Sequence, residues 1–167
     1  MMKKRLTSLA LSAMMVLSMV PATAFAAKDA GTPPTYNSAT GCYEISTPAQ
    51  LLYLAGKWKD GAPRDGHYVL TADIDMTGVD WQPIAFSGTL DGGGHTIYNL
   101  TVSSLGADRA ETVDGNDKTY DTALTGFFSV LSGASVRDLS LRGVNIAVET
   151  PENVFAGTLA GFASPET

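Results

Sequence analysis

Four aspartates in one short stretch of the chain are the residues best suited to chemistry: Asp73, Asp75, Asp80 and Asp91. Asp73 and Asp75 are two residues apart on a predicted strand, so their side chains face the same side. Two carboxyl groups about 5 to 10 Å apart can cleave a glycosidic bond, and paired carboxylates also bind calcium. The alternative, which we prefer, makes Asp73 and Asp75 turn and edge residues that face water, because no arginine or lysine adjoins them in the sequence.

The sequence contains no other catalytic pattern. Its two histidines, His67 and His95, lie in different segments, and there is neither a His-Glu-x-x-His motif nor a cluster of cysteine and histidine. A Gly-x-Ser-x-Gly elbow is also missing, and the glycines at 92–94 precede a strand rather than a phosphate-binding helix. We therefore expect no catalytic residue, no cofactor and no metal site, and Asp73 and Asp75 are the residues that would bind a metal if one were present.

Aromatic side chains are the second class of candidate, because they can stack on sugars. Tyr98 is the best placed, since it lies between Ile97, which we expect to point inward, and a predicted bend at Asn99. Two others, Trp58 and Trp81, we assign to the core from their apolar neighbours. The remaining aromatic candidates are Tyr36 and Tyr53.

The first 26 residues predict a cleaved signal peptide. Lys3, Lys4 and Arg5 precede a short apolar run at 9–20, and the Ala-Phe-Ala sequence at 24–26 suits signal peptidase. Removal of this segment would leave 8 basic and 17 acidic residues, a net charge of −9. We expect a secreted or cell-surface protein with no affinity for nucleic acid and no membrane contact beyond export.

The predicted mature chain has two parts. Residues 27–41, rich in proline, glycine and threonine, predict a flexible linker, and residues 42–167 predict the folded module. Cys42 is the single cysteine, so an internal disulfide is impossible. It lies too far from the apolar run for a lipid anchor, and we expect a buried or half-buried thiol.

A helix is predicted over residues 47–58. Thr47 is a favourable N-cap, Pro48 suits the first helical position, and Gln50 completes a capping box. Apolar residues at helical spacing, from Leu51 to Trp58, form one face that must pack on other apolar residues.

From residue 67 onward the sequence changes to short β segments with glycine and aspartate turns. An apolar pattern recurs 39 residues later, with Asn or Asp before its second apolar residue, where a bend is required. The matching sets are Ile97, Asn99, Leu100 and Val102, and Val136, Asp138, Leu139 and Leu141. Residues 126–133 and 156–162 form a second pair of similar segments. Such units stack to bury their inner faces, so we expect both apolar trios to point into one shared interior.

Residues 103–125 interrupt this repeat with a polar, aspartate-rich segment. In a stack of repeats such an insertion projects as a loop. Two interpretations stay open, a disordered spacer, which we prefer, and a binding loop.

The order of several motifs along the chain resembles that in bacterial surface proteins with GLUG-type repeats. These motifs lie at 43–51, 68–76, 81–97, 126–128 and 156–161. GLUG-type repeats also occur beside the protease domain of immunoglobulin-A-specific metallopeptidases. The resemblance covers residues 42–162 and implies an all-β fold, a right-handed parallel β-helix with a short N-terminal capping helix. It further implies a non-catalytic, adhesin-like or stalk module whose partner is a host or environmental glycan or a protein.

Two other functions remain open. One is a carbohydrate-active enzyme on the same coil, such as a polysaccharide lyase or a glycosidase, and the other is the N-terminal scaffold of a longer surface enzyme. Because the sequence stops within a repeat, we also expect the chain to be a fragment whose last apolar strand layer is exposed.

Overall fold

The computed structural model describes residues 31–56, 63–106, 109–113, 119–150 and 153–165. The predicted signal peptide and Trp58 lie outside the described residues, as does the start of the predicted linker. The described residues form short strands and one helix, so the predicted all-β class is confirmed.

The helix α1 spans Pro48–Gly56. The strands are β1 (Thr35–Asn37), β2 (Cys42–Ile45), β3 (His67–Leu70), β4 (Ile74–Asp75), β5 (Ile84–Phe86), β6 (Thr89–Asp91), β7 (Thr96–Tyr98), β8 (Thr101–Val102), β9 (Arg109–Val113), β10 (Thr119–Thr125), β11 (Phe128–Ser132), β12 (Ser135–Arg137), β13 (Ser140–Arg142), β14 (Asn145–Ile146), β15 (Val154–Ala156) and β16 (Ala160–Ser164).

These strands form five small sheets in which nearly all pairs are parallel. Their orders are β1-β2-β3-β6-β12, β4-β7-β13, β8-β14, β5-β11-β16 and β9-β10-β15. The antiparallel pairs are β1 with β2 and β9 with β10. Because parallel partners cannot be joined by a tight hairpin, the chain visits other sheets before it returns to each one.

Successive stretches of chain visit the sheets in the same order, and we call these stretches layers. Layer 1 contains β2 and α1, and layer 2 contains β3, β4 and β5. Layer 3 contains β6, β7, β8 and β11, and layer 4 contains β12, β13, β14 and β16. Each layer pairs in parallel with the previous one, so that Tyr68, Leu90 and Val136 are neighbours in one ladder.

Both predicted apolar trios contact one core, but the predicted spacing of 39 residues is wrong. Ile97 pairs with Leu141, 44 residues later, whereas Val136 pairs with Leu90. Ile97, Leu100 and Val102 are fully buried. The later trio is half-buried and packs against the same core. The stacking partners are therefore shifted by one strand from those that the sequence match suggested.

The predicted bends at Asn99 and Asp138 both exist, but they lie at two different corners of the fold. Asn99 has φ of 56° and Asp138 has φ of 51°, both in the left-handed region. Asn99 connects β7 to β8 and lies against Gly143 of layer 4. Asp138 connects β12 to β13, and its backbone carbonyl accepts a hydrogen bond from the amide of Gly94 in layer 3. At both of these corners one layer has Asn or Asp and the other layer has glycine, because these residues tolerate positive φ.

The helix begins as the sequence predicts. The Gln50 amide donates to Thr47 Oγ1 at 3.2 Å, while Gln50 Oε1 accepts from the Ser46 amide at 2.8 Å rather than from Thr47. Leu51 and Leu54 are buried in the core, so the apolar face covers the strands beneath it. The helix lies in layer 1, where later layers have strands instead.

Residues 35–37 of the predicted linker form a strand. This segment is β1, which pairs antiparallel with β2 so that Tyr36 faces Tyr43, with ring centroids 5.0 Å apart. Apolar contact between the tyrosines orders a segment whose composition resembles a linker. Cys42 at the start of β2 is a half-buried free thiol.

The described residues of the insertion at 103–125 include two paired strands, which differs from the disordered spacer that we preferred. Strands β9 and β10 pair antiparallel, and β15 adds to β10 in parallel. Thr122, Ala123, Leu124 and Thr125 are buried. The alternation of apolar and small residues at the end of the insertion therefore serves packing.

Trp81 lies in the core, as predicted. Its ring stacks on Phe127 at 4.9 Å between centroids, and its Nε1 donates to the Phe127 carbonyl at 2.7 Å. A fully buried indole needs such a partner for its N–H group.

Candidate ligand-binding face

The candidate site lies on the outer face of the β4-β7-β13 sheet. Side chains alternate along each strand, and Ile74, Ile97 and Leu141 point into the core. The next residue on each strand faces outward, which places Asp75, Tyr98 and Arg142 side by side in one ladder. We call these three residues the Tyr98 row. Tyr98 is half-buried, and its two neighbours are exposed.

Asp75 is held in place by three hydrogen bonds to its Oδ1. The donors are the Thr77 hydroxyl at 2.7 Å, the Thr77 amide at 3.0 Å and Asn99 Nδ2 at 2.9 Å. These bonds, with the Thr77 hydroxyl as the largest cause, hold the pKa of Asp75 below its ordinary value. The ionised carboxylate of Asp75 therefore stabilises the corner at Asn99.

Asp73 lies beside the Tyr98 row and binds layer 3 in a similar way. Its Oδ1 accepts from the Thr96 amide at 2.9 Å and lies 3.3 Å from His95 Nδ1. The Thr96 bond is the largest cause that lowers the pKa of Asp73, and the charges of His95 and Arg142 act in the same direction. The fold therefore brings two basic side chains towards an aspartate that has none next to it in the sequence.

The other two candidate aspartates also bind the following layer. Asp80 accepts hydrogen bonds from the amide and the hydroxyl of Ser103. Asp91 accepts from the Gly93 amide at 2.9 Å and forms an ion pair with Arg137 of β12.

All four sequence candidates thus share one structural arrangement, since each joins its own layer to the next. Asp73 and Asp75 are exposed, as our preferred interpretation predicts, but they are anchored residues rather than freely solvated ones. Among the residues that the structure describes, no group of three or more histidine, cysteine, aspartate or glutamate side chains is arranged to hold a metal ion. The calcium hypothesis gains no support from the geometry.

A separate, concave surface lies on the outer face of the five-stranded sheet. It encloses about 420 Å³. Its lining includes Cys42, Glu44, His67, Asp91 and Arg137. Glu44 accepts a hydrogen bond from Asn37, and Asp91 is paired with Arg137, so these three charged groups already have partners within the protein.

The comparisons with known proteins give one match. The chain is 32% identical over 134 residues to Halomucin of Haloquadratum walsbyi, and the match covers 71% of this chain. The chain spans about 1% of the length of that protein. No family model matches the sequence, and no solved structure matches the fold. The GLUG-type resemblance therefore stays a prediction.

Within the described part of the chain, α1 is the one helix, and it is far too short to cross a bilayer.

Sequence reasoning identified Asp75 and Tyr98 separately but missed that they are neighbours. It also missed that His95 and Arg142 lie near Asp73, because these positions depend on which strands pair. The signal that could have found Arg142 is the Leu-Arg-Gly sequence at 141–143, which repeats the order of an inward residue, an outward residue and a corner seen in Ile97, Tyr98 and Asn99.

Proposed function

We propose that the chain forms the first layers of a right-handed parallel β-helix, capped at its N-terminal end by α1. The proposal is supported by the parallel ladders that take one strand from each successive layer. It is also supported by residues with positive φ at equivalent corners of layers 3 and 4. These are the features that a coil of short strands requires.

We further propose that this coil is a non-catalytic, exported module of a bacterial cell-surface protein, acting as a stalk or in an adhesin-like role. The observation that carries this proposal is that all four candidate catalytic aspartates connect one layer to the next. Carboxylates bonded in this way hold neighbouring layers together, which supports a structural role for them. The acidic composition, the similarity to Halomucin and the GLUG-type resemblance are consistent with an exposed role.

The strand register can be tested by disulfide trapping. In a Cys42→Ser background, Thr89→Cys with Ser135→Cys joins positions paired between β6 and β12. Paired Cα atoms in neighbouring strands lie within disulfide range, so oxidation should give a cross-linked product. The matched control is Thr96→Cys with Ser135→Cys, which follows the 39-residue spacing and should stay reduced. Cross-linking of the control alone would contradict the proposed coil, and an experimental structure with a left-handed strand path would contradict its hand.

Export can be tested with intact bacterial cells that produce the full chain. Proteinase K added outside the cells should digest the protein or, if it is secreted, the protein should appear in the medium. The matched control is Leu17→Arg, which places a charge in the apolar run and should retain the chain inside. Retention of the unchanged chain inside the cell would overturn the surface role.

A carbohydrate-active enzyme is the second candidate, because Asp73 lies beside His95 and within the electrostatic influence of Arg142. It predicts release of reducing ends or of unsaturated uronate from a polysaccharide, and loss of that product in the double variant Asp73→Asn and Asp75→Asn. Folded protein that releases no product from neutral or acidic polysaccharides would exclude this candidate.

A further inference from the structure

We infer that the Tyr98 row, together with Asp73, is a binding face for a neutral glycan. The inference deepens the proposed adhesin-like role by naming the chemical class of the ligand, and it rests on that role. Its basis is the juxtaposition of an aromatic ring with a carboxylate on one side and a guanidinium on the other.

The geometry of the sheet fixes the size of this face. Neighbouring strands lie about 4.8 Å apart, so Asp75 and Arg142, on either side of Tyr98, are separated by roughly 10 Å at the backbone. Tyr98 presents an apolar ring with a polar hydroxyl, which suits the face and the edge of a sugar ring. The carboxylate and the guanidinium can then bind hydroxyl groups on adjoining sugar units.

The two carboxylates are preorganised for this task. Every hydrogen bond that the described residues make to Asp73 and Asp75 uses Oδ1. The other oxygen of each exposed carboxylate remains available as an acceptor. Because these side chains are already fixed by bonds to layer 3 or within the corner, a ligand would not have to order them.

The charge balance favours a neutral glycan over an acidic one. Two carboxylates, those of Asp73 and Asp75, lie beside one guanidinium, that of Arg142. The chain carries a net charge of −6, which disfavours the binding of uronates and sulfated sugars. The open sheet surface fits a segment of a polymer lying across the strands rather than a small molecule enclosed in a pocket.

The test is affinity electrophoresis of the full chain in gels that contain mannan, glycogen or hydroxyethylcellulose as neutral probes, with polygalacturonate as the acidic probe. Retardation by at least one neutral probe and none by polygalacturonate is expected. Tyr98→Ala should weaken retardation about tenfold, whereas Tyr98→Phe, which keeps the ring, should stay within about threefold. Tyr36→Ala is the matched control, because Tyr36 is 56% exposed on a different sheet, and it should leave retardation unchanged.

Three results would overturn the inference. They are no retardation by any neutral probe, equal retardation of Tyr98→Ala, or stronger retardation by polygalacturonate. Thermal unfolding of each variant shows whether lost binding reflects lost folding, and Tyr98→Phe serves as the folded comparison if Tyr98→Ala unfolds. Surface exposure of the same variants separates the two proposals, since a chain that reaches the cell surface but binds no neutral glycan refutes the glycan face alone.

Discussion

The two ends of the strand stack differ in how their apolar residues are covered. At the N-terminal end, α1 and β1 lie over the first strands, and Ile45 and Leu51 are at most 1% exposed. At the other end, Phe155, Leu159 and Phe162 are 38–41% exposed, and the inward residues of layer 4 are only half-buried. The difference shows that each layer depends on the next one to bury its apolar side chains.

The largest effect is expected when a leucine is replaced by alanine in a covered layer, compared with the same replacement in the uncovered layer. Leu100→Ala, at a fully buried position of layer 3, should lower the free energy of unfolding by about 2 to 5 kcal/mol, because it removes packed methyl groups and leaves a cavity. Leu159→Ala, at 38% exposure, should lower it by about 1 kcal/mol or less. Urea unfolding followed by circular dichroism measures both. Equal losses would mean that layer 3 is not shielded by layer 4.

The next largest effect is expected at the corner that Asp75 supports. Asn99→Ala should lower the free energy of unfolding by about 1 to 3 kcal/mol, because alanine is strained at φ of 56° and cannot donate to Asp75 or Thr77. Asn99→Gly keeps the conformational freedom and loses only the side-chain bonds, so its loss should be smaller. A glycine variant less stable than the alanine variant would contradict the role of the left-handed conformation.

A smaller effect is expected at the helix that covers the N-terminal end. Thr47→Ala removes the acceptor for the Gln50 amide and should cost about 1 kcal/mol. Thr47→Ser is the control and should be close to the unchanged protein, since serine is an equally good N-cap. The midpoint of thermal unfolding reports the difference.

The smallest effect is expected from pH. The folded-state pKa values of Asp73 and Asp75 are lowered from 3.8, so their contribution to stability is fully present above that value. It is lost as the pH falls through the folded pKa values, because protonation weakens the hydrogen bonds from Thr96 to Asp73 and from Thr77 to Asp75. Unfolding measured between pH 5 and pH 2 should therefore show a shallower loss of stability in the double variant Asp73→Asn and Asp75→Asn. An identical pH dependence in the variant would rule out this linkage.

Local features of the structure were predictable because their causes lie within a few residues. Thr47, Pro48 and Gln50 determine where the helix begins, and alternation along the strands separates Ile97 from Tyr98. The order of β1 was not predictable from its polar composition, because it depends on the contact between Tyr36 and Tyr43. The paired strands in the insertion were missed for a similar reason, since their burial depends on a strand that follows much later in the chain.

The sequence by itself determined which residues turn the chain and which side chains point inward. Only the tertiary structure decided which corner lies on which, because Asn99 and Asp138 have the same backbone conformation and the same local pattern at two different corners. Hydrogen bonds between parallel strands select one register from such similar alternatives, and that choice is made by the packing of all layers together. It placed Arg142 beside Tyr98 and joined each candidate aspartate to the following layer, which no local pattern could reveal.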